Sequence, residues 1–241
     1  MPAAAISGGT TGIGRATAEL LHARGYQVAV TGQNPGSLAR ARSELPDDVL
    51  VVRSDGRVLC DTDALMPAVP AHFGSLDPLS LNAGIFRPAP VAEVTEASFD
   101  AHADPNFKGQ CFTLEKALPL MNDGGSIVLT VGIGSLRGTP GATVRAASRG
   151  ALLAMLPSLA LGLAPRRIRV NAMSPGATDT PLLDKLGVTE SGRDAMRSEI
   201  PFERFESSQE VAEAVAFLAS DAAGYLTGQD ITVAGGSGLG A

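Results

Sequence analysis

The sequence predicts an α/β domain built on a doubly wound, seven-stranded parallel sheet with helices on both faces. Three observations carry that prediction. Short apolar runs alternate with longer helical segments from one end of the chain to the other. The runs are apolar throughout rather than every second residue, as strands covered on both faces are. A glycine-rich turn, Ser7 to Gly14, follows the first run and opens a helix.

In order, Ala3 to Ser7 is a small apolar strand that stops at two glycines, and the helix Gly14 to Arg24 follows it. Tyr26 to Thr31 and Val49 to Arg53 are the next two strands, the second rich in valine. The segment Asp61 to His72 reads as a helix, then Leu76 to Leu81 and Ser126 to Val131 as strands, then Thr143 to Leu163 as a long helix. Ile168 to Ala172, the helix Ser208 to Ser220 and the strand Asp230 to Val233 complete the pattern. With no repeat or linker, residues 1–241 are expected to form one domain. The stretch from about 179 to 205, rich in charge, Gly and Pro, is expected to be a lid over one end of the sheet.

At 241 residues, 44% hydrophobic and 18% charged, the chain is long and apolar enough for a sizeable core. A net charge of −6 argues against nucleic-acid and anionic-membrane partners. Cys60 and Cys111 lack a CxxC spacing and read as reduced thiols, and His22, His72 and His102 lack an HxxxH spacing, so no metal is expected. Met1 runs at once into Pro2 and a strand, which leaves no room for a signal peptide. The apolar stretches are broken by Gly, Pro or Arg short of a membrane span. Together these features lead us to expect a soluble cytoplasmic protein.

In a sheet of this kind ligands bind beyond the carboxyl ends of the strands, beside the first strand-to-helix turn. Here Gly8 and Gly12 allow close backbone approach, and Gly14 lets the helix start tight against the strand. The free amides of Ile13 and its neighbours, with the helix dipole behind them, suit a pyrophosphate. Ser7, Thr10 and Thr11 add hydroxyl donors.

Several motifs in the same order resemble those of the classical short-chain dehydrogenase/reductase family. Ser7–Gly14 is similar to its TGxxxGIG turn, with Ser for the first Thr, and Leu81-Asn82-Ala83-Gly84 to its NNAG turn, with Leu for the first Asn. Asp55 matches the acid used near the adenine, and Val170–Gly176 with Thr180 looks like the VNxxxPGxxxT segment around the nicotinamide. The stretch from Glu210 through Gly236 also fits, with Ala234 where an Asp is usual. The resemblance implies a Rossmann fold, a nicotinamide dinucleotide, a small-molecule substrate and a homodimer or homotetramer. The dimer would pair through helices at about Thr95–Leu120 and Thr143–Leu163, and the apolar tail Ile231 to Leu239 fits a second interface.

The resemblance also places the cofactor contacts at Ser7, Gly8, Thr10, Thr11, Gly12, Ile13, Gly14, Gln33, Asp55, Asn82, Ala83, Gly84, Arg149, Pro175, Gly176 and Thr180. Thr31-Gly32-Gln33-Asn34 offers no carboxylate to a ribose 2′-hydroxyl and none to repel a phosphate, so NADP(H) is expected over NAD(H), with Arg15 and Arg40 as neighbours.

The family's catalytic Ser, Tyr and Lys fall on Gly132, Arg145 and Arg149, and only its Asn survives, as Asn106 after an unusual Pro105. An arginine cannot release its proton near neutral pH, so Arg145 cannot act as an ordinary general acid. It can polarise an oxyanion, and Arg149 can hold ribose hydroxyls. Thr130, Ser135, Thr143 and His102 are weaker candidates for the lost hydroxyl and acid. Spaced four apart, Arg145 and Arg149 either converge on an anion, with Arg137 joining them, or Arg145 folds away into an ion pair with Glu203 or Asp179. Three functions follow: an oxidoreductase of an activated or anionic carbonyl, a catalytically silent cofactor-binding protein, and a non-redox isomerase or lyase.

Overall fold

The computed structural model describes residues 1–63 and 65–239. Residue 64, inside the expected helix 61–72, and residues 240 and 241, at the end of the expected domain, lie outside the described residues.

Seven parallel strands form one sheet: β1 (Ala3–Ser7), β2 (Gln27–Gly32), β3 (Leu50–Arg53), β4 (Leu76–Leu81), β5 (Met121–Thr130), β6 (Arg169–Pro175) and β9 (Asp230–Val233). Their order is β3-β2-β1-β4-β5-β6-β9, so the chain reverses direction across the sheet between β1 and β4. Side chains on both faces of the central strands are buried, Ile6, Leu79, Leu81, Ile127 and Leu129 among them. Double burial is why these strands read as continuous apolar runs.

The helices α1 (Gly12–Ala23), α2 (Pro35–Glu44), α3 (Leu59–Thr62), α4 (Leu65–Phe73), α5 (Glu96–Ala103), α6 (Gly109–Ala117) and α7 (Thr143–Leu163) join the strands, with α8 (Pro181–Lys185), α9 (Glu190–Ser198) and α10 (Ser208–Ala219) in the C-terminal third. Helix α7 has the expected bounds. It also carries a window apolar enough by composition to cross a membrane, contrary to the expectation that no stretch is. It packs on β6 and buries Ser148, Arg149, Leu152, Leu156 and Ala160 along one face.

The expected helix over 95–120 is not continuous. Asp104–Lys108 forms a π-turn between α5 and α6, and Leu118–Leu120 a 3₁₀ turn after them. Pro105 has no N–H for the α-helical ladder and its ring crowds the preceding turn, so the extra residue of a π-turn relieves both. The segment 179–205 is flanked by a two-stranded parallel ladder, in which β7 (Thr178–Asp179) pairs with β8 (Glu206–Ser207).

Candidate cofactor and catalytic site

The reversal between β1 and β4 opens a crevice at the carboxyl ends of the strands, and the first turn lies there. Gly8 and Gly12 adopt φ of +66° and +55°. A Cβ on Gly8 would stand 2.8 Å from the Ala83 Cα, and one on Gly14 would stand 2.3 Å from the Gly8 carbonyl oxygen. The turn is thus closed against the β4 turn by contacts only glycine permits. Helix α1 begins at Thr11 with no side chain capping its first amides, whereas Asn34, Thr95, Thr180, Thr189 and Ser207 cap α2, α5, α8, α9 and α10. Uncapped amides at a positive helix end, in a crevice, suit a phosphate.

Two expected donors turn inward instead. The Ser7 hydroxyl donates to Gln110 Oε1 at 3.2 Å and accepts from the amides of Asn82 and Ala83 at 2.9 and 3.1 Å. Thr10 pairs with the Ser37 hydroxyl at 3.2 Å. Both are buried, so they brace the turn rather than face the crevice. Asn82 adds a third brace, donating to the Gly8 carbonyl at 3.3 Å.

At the far end of β2, Gln33 and Asp55 are brought together by a residue that sequence reading missed. Arg57 donates to Gln33 Oε1 at 3.0 Å and grips both Asp55 oxygens, at 2.9 and 2.6 Å. That pairing holds the Asp55 carboxyl below its ordinary range. The expected Arg15 is instead paired with Glu19 and Glu44, and Arg40 is exposed. Arg57 stands two residues after Asp55 in the same turn, and that proximity was the available signal.

Across the crevice, Gly176 donates to the Val233 carbonyl at 2.8 Å, and Pro175 ends β6 beside it. Thr180 caps α8, and its methyl lies 3.4 Å from where a Cβ on Gly12 would stand. The segment that begins at Thr180 therefore departs beside the glycine-rich turn.

Asn106 sits in the π-turn with no exposure. Its side chain accepts from the Ile85 amide at 2.7 Å and donates to the Ile85 carbonyl and the Ser148 hydroxyl, fixing the loop that follows β4 against α7. His102 is neither an acid nor a surface residue. It is 5% exposed, with Nε2 receiving the Arg87 amide at 3.0 Å and Nδ1 facing the Ser98 carbonyl at 2.9 Å. Neutral imidazole satisfies both contacts.

The two arginines part company. Arg149 is 7% exposed, and its fork donates to the carbonyls of Thr130, Asn82 and Ala83 at 2.6, 3.2 and 2.9 Å. It cross-links the ends of β4 and β5, and burial together with the neighbouring Arg145 pushes its pKa down to about 9. A Cβ on Gly84 would lie 1.7 Å from its Nη2, so Gly84 makes room for it.

Arg145 lies over the Phe86 ring, its guanidinium carbon 5.1 Å from the ring centroid. Its terminal nitrogens stand 3.0 Å and 2.7 Å from where Cβ atoms on Gly132 and Gly134 would be. No carboxylate among the described residues pairs with it: Asp179 binds Arg193, and neither Asp179 nor Glu203 reaches Arg145. Burial lowers its pKa with no opposing charge. Arg137 turns away toward Gly238 and does not join the pair. The hydroxyls of Thr130 and Ser135 are buried without partners, whereas Thr143 is exposed.

Residues 8–238 match the sequence model of the family described as Enoyl-(Acyl carrier protein) reductase. The chain is 36% identical to the 3-oxoacyl-[acyl-carrier-protein] reductase FabG of Thermotoga maritima, across 96% of this chain and 95% of that one. The chain belongs to the short-chain dehydrogenase/reductase family. A cis-4-hydroxycyclohexanecarboxylate dehydrogenase of Sinomonas cyclohexanicum is also 36% identical, over 97% of this chain and 95% of that one. A short-chain dehydrogenase/reductase from Brucella melitensis superposes with a TM-score of 0.92 at 30% identity, covering 98% of this chain and 96% of that one. A blue fluorescent protein from a metagenomic library, in complex with NADPH, superposes with a TM-score of 0.92 at 28% identity, covering 98% of both chains.

Membership of the short-chain dehydrogenases/reductases implies a nicotinamide dinucleotide, and the crevice fits its pyrophosphate: uncapped α1 amides, a glycine cradle and an open approach. At the carboxyl ends of the strands two arginines lie side by side, Arg149 bound to main-chain carbonyls and Arg145 without a hydrogen-bond or carboxylate partner among the described residues.

Proposed function

We propose that the chain is an NADP(H)-preferring oxidoreductase with an atypical active site, acting on an activated or anionic carbonyl compound. The observation that carries this reading is the Arg145 guanidinium, unpaired among the described residues and lying over the glycines at the end of β5, in the same crevice as the glycine-rich turn. The cofactor would supply or accept the hydride. The amides of Gly12 to Gly14 would hold its pyrophosphate, Gln33 and Arg57 would meet a 2′-phosphate, Asp55 would serve the adenine end, and Pro175, Gly176 and Thr180 would serve the nicotinamide end. Arg145 would hold the substrate's anionic group, and its positive charge would favour the negative charge that builds on the adjacent carbonyl oxygen. Arg149 and Asn106 position the crevice walls, and the proton that completes reduction comes from water. A positioned general acid contributes about 10²–10⁴-fold, so only substrates activated by that margin turn over well. The Sinomonas relative is named for a substrate that carries a carboxylate, which supports an anionic substrate.

A second reading, a catalytically silent cofactor-binding protein, is favoured by one observation. Asn106 and Arg149 are fully engaged with main chain, leaving no side chain to hand over a proton. NADPH oxidation with 2-oxoacids, quinones and 1,3-dicarbonyls separates the readings: turnover supports the first, and tight binding without turnover the second. Substrate conversion with unchanged NADPH supports an isomerase or lyase. Residues 179–205 serve as the lid, and the exposed Phe99, Phe112 and Leu161 on α5, α6 and α7 fit pairing of two copies.

A further inference from the structure

A guanidinium taken largely out of water is costly unless something opposite in charge or hydrogen-bonding meets it. Arg149, which is buried where Arg145 is half-buried, meets that cost with three carbonyl oxygens. Arg145 has no acceptor and no carboxylate partner among the described residues, and Arg149 adds a second positive charge beside it. Its surroundings favour the exposed fork over concealment. Phe86 covers one face of the guanidinium, and Gly132, with φ of +110°, and Gly134 have no side chains to crowd its terminal nitrogens, which stand 3.0 and 2.7 Å from where Cβ atoms would be. A planar cation with one face on an aromatic ring presents its N–H fork in the plane, the geometry that a carboxylate matches with two parallel hydrogen bonds.

We propose that Arg145, walled by Phe86, Gly132 and Gly134, is a carboxylate-binding subsite that seats the substrate's own carboxylate. The subsite deepens the functional reading above, but it requires no cofactor to form. Carboxylate rather than phosphate is favoured because the described surroundings offer one fork and no second free cation: Arg149 is engaged and Arg137 lies at Gly238.

The test uses the full chain without cofactor, titrated with acetate, pyruvate, inorganic phosphate and neutral acetamide at constant ionic strength, followed by calorimetry and thermal unfolding. Acetate and pyruvate are expected to bind and to raise the unfolding temperature, and acetamide is not. Arg145→Gln is expected to weaken both carboxylates by about tenfold or more, the loss of a charged hydrogen-bonded pair; Arg137→Gln leaves them unchanged. A second readout needs no variant: pyruvate should protect Arg145 from phenylglyoxal, read by mass spectrometry. Failure of both carboxylates to bind, binding retained in Arg145→Gln, preference for phosphate, or no protection of Arg145 overturns the proposal. NADPH binding without carboxylate binding sinks the subsite and spares the oxidoreductase reading; the reverse result does the opposite.

Discussion

The Nη2 of Arg145 stands 3.0 Å from the point where a Cβ on Gly132 would lie. These two positions, where the family resemblance places a Tyr and a Ser, are therefore in contact. The guanidinium occupies the margin of the volume a serine side chain would need, and Gly132, at φ +110°, sits where an L side chain is strained.

Gly132→Ser alone is expected to destabilise the fold by on the order of 1–3 kcal/mol through that strain and crowding. Combined with Arg145→Tyr, the cost should fall, and a double-mutant cycle by urea unfolding measures the coupling. Adding Arg149→Lys should create or raise reductase activity on generic ketones. A folded triple variant that binds cofactor and gains no activity would count against the positional reading.

Gly84 and Arg149 form a second coupled pair, because a Cβ on Gly84 would meet the Arg149 fork at 1.7 Å. Gly84→Ala is expected to cost about 1–3 kcal/mol by overpacking. In an Arg149→Met background the same change should cost less, although that background is itself weakened by three unsatisfied carbonyls. Equal costs in the two backgrounds would show that the contact is not made.

Arg57 bridges Gln33 and Asp55 at the end of β2. Arg57→Gln is expected to weaken NADPH binding by about tenfold, the value of a charged hydrogen bond to phosphate, and to leave NADH within about twofold. Parallel loss of both cofactors, measured by calorimetry, would mean that Arg57 only shapes the loop.

Glu206 is 8% exposed, with one oxygen accepting from Thr178 at 2.7 Å and the other without a partner. Burial raises its pKa from 4.5 to about 7. The native state therefore holds this proton more tightly than the unfolded chain. The associated stability is complete below about pH 4.5 and is lost as pH rises through about 7, a change on the order of 2–3 kcal/mol. Glu206→Gln keeps the acceptor for Thr178 and should be more stable than the parent at pH 8, with a flatter profile between pH 5 and 8. An unchanged profile in chemical unfolding would exclude Glu206 as its source.

Much of the fold was legible because double burial writes itself into the strands as unbroken apolar runs, and α7 carries its bounds in composition. The break at Pro105 was visible as a residue but not as a π-turn, since local propensity does not say how a helix accommodates a missing donor. In the site, the glycine turn lies in the crevice at the strand ends, yet Ser7 and Thr10, expected to offer hydroxyls there, turn inward. Their partners, Gln110 and Ser37, lie far away in sequence. Arg57 was missed for a related reason: its partner Gln33 is on another strand. The letters place Gly132, Arg145 and Arg149 where the resemblance expects Ser, Tyr and Lys, but only packing shows that Arg149 is a cross-link and Arg145 is not.

The most direct test of the central claim, a working dinucleotide crevice with a rewired reacting end, is titration of NADPH, NADH, NADP⁺ and NAD⁺ into the protein, followed by calorimetry and thermal stability. A ligand at a hundredfold excess over its Kd stabilises the native state by about 2.7 kcal/mol. The account predicts that shift with the NADP forms at lower concentration than with the NAD forms. Absence of binding by all four would contradict it and leave the glycine turn as a scaffold alone.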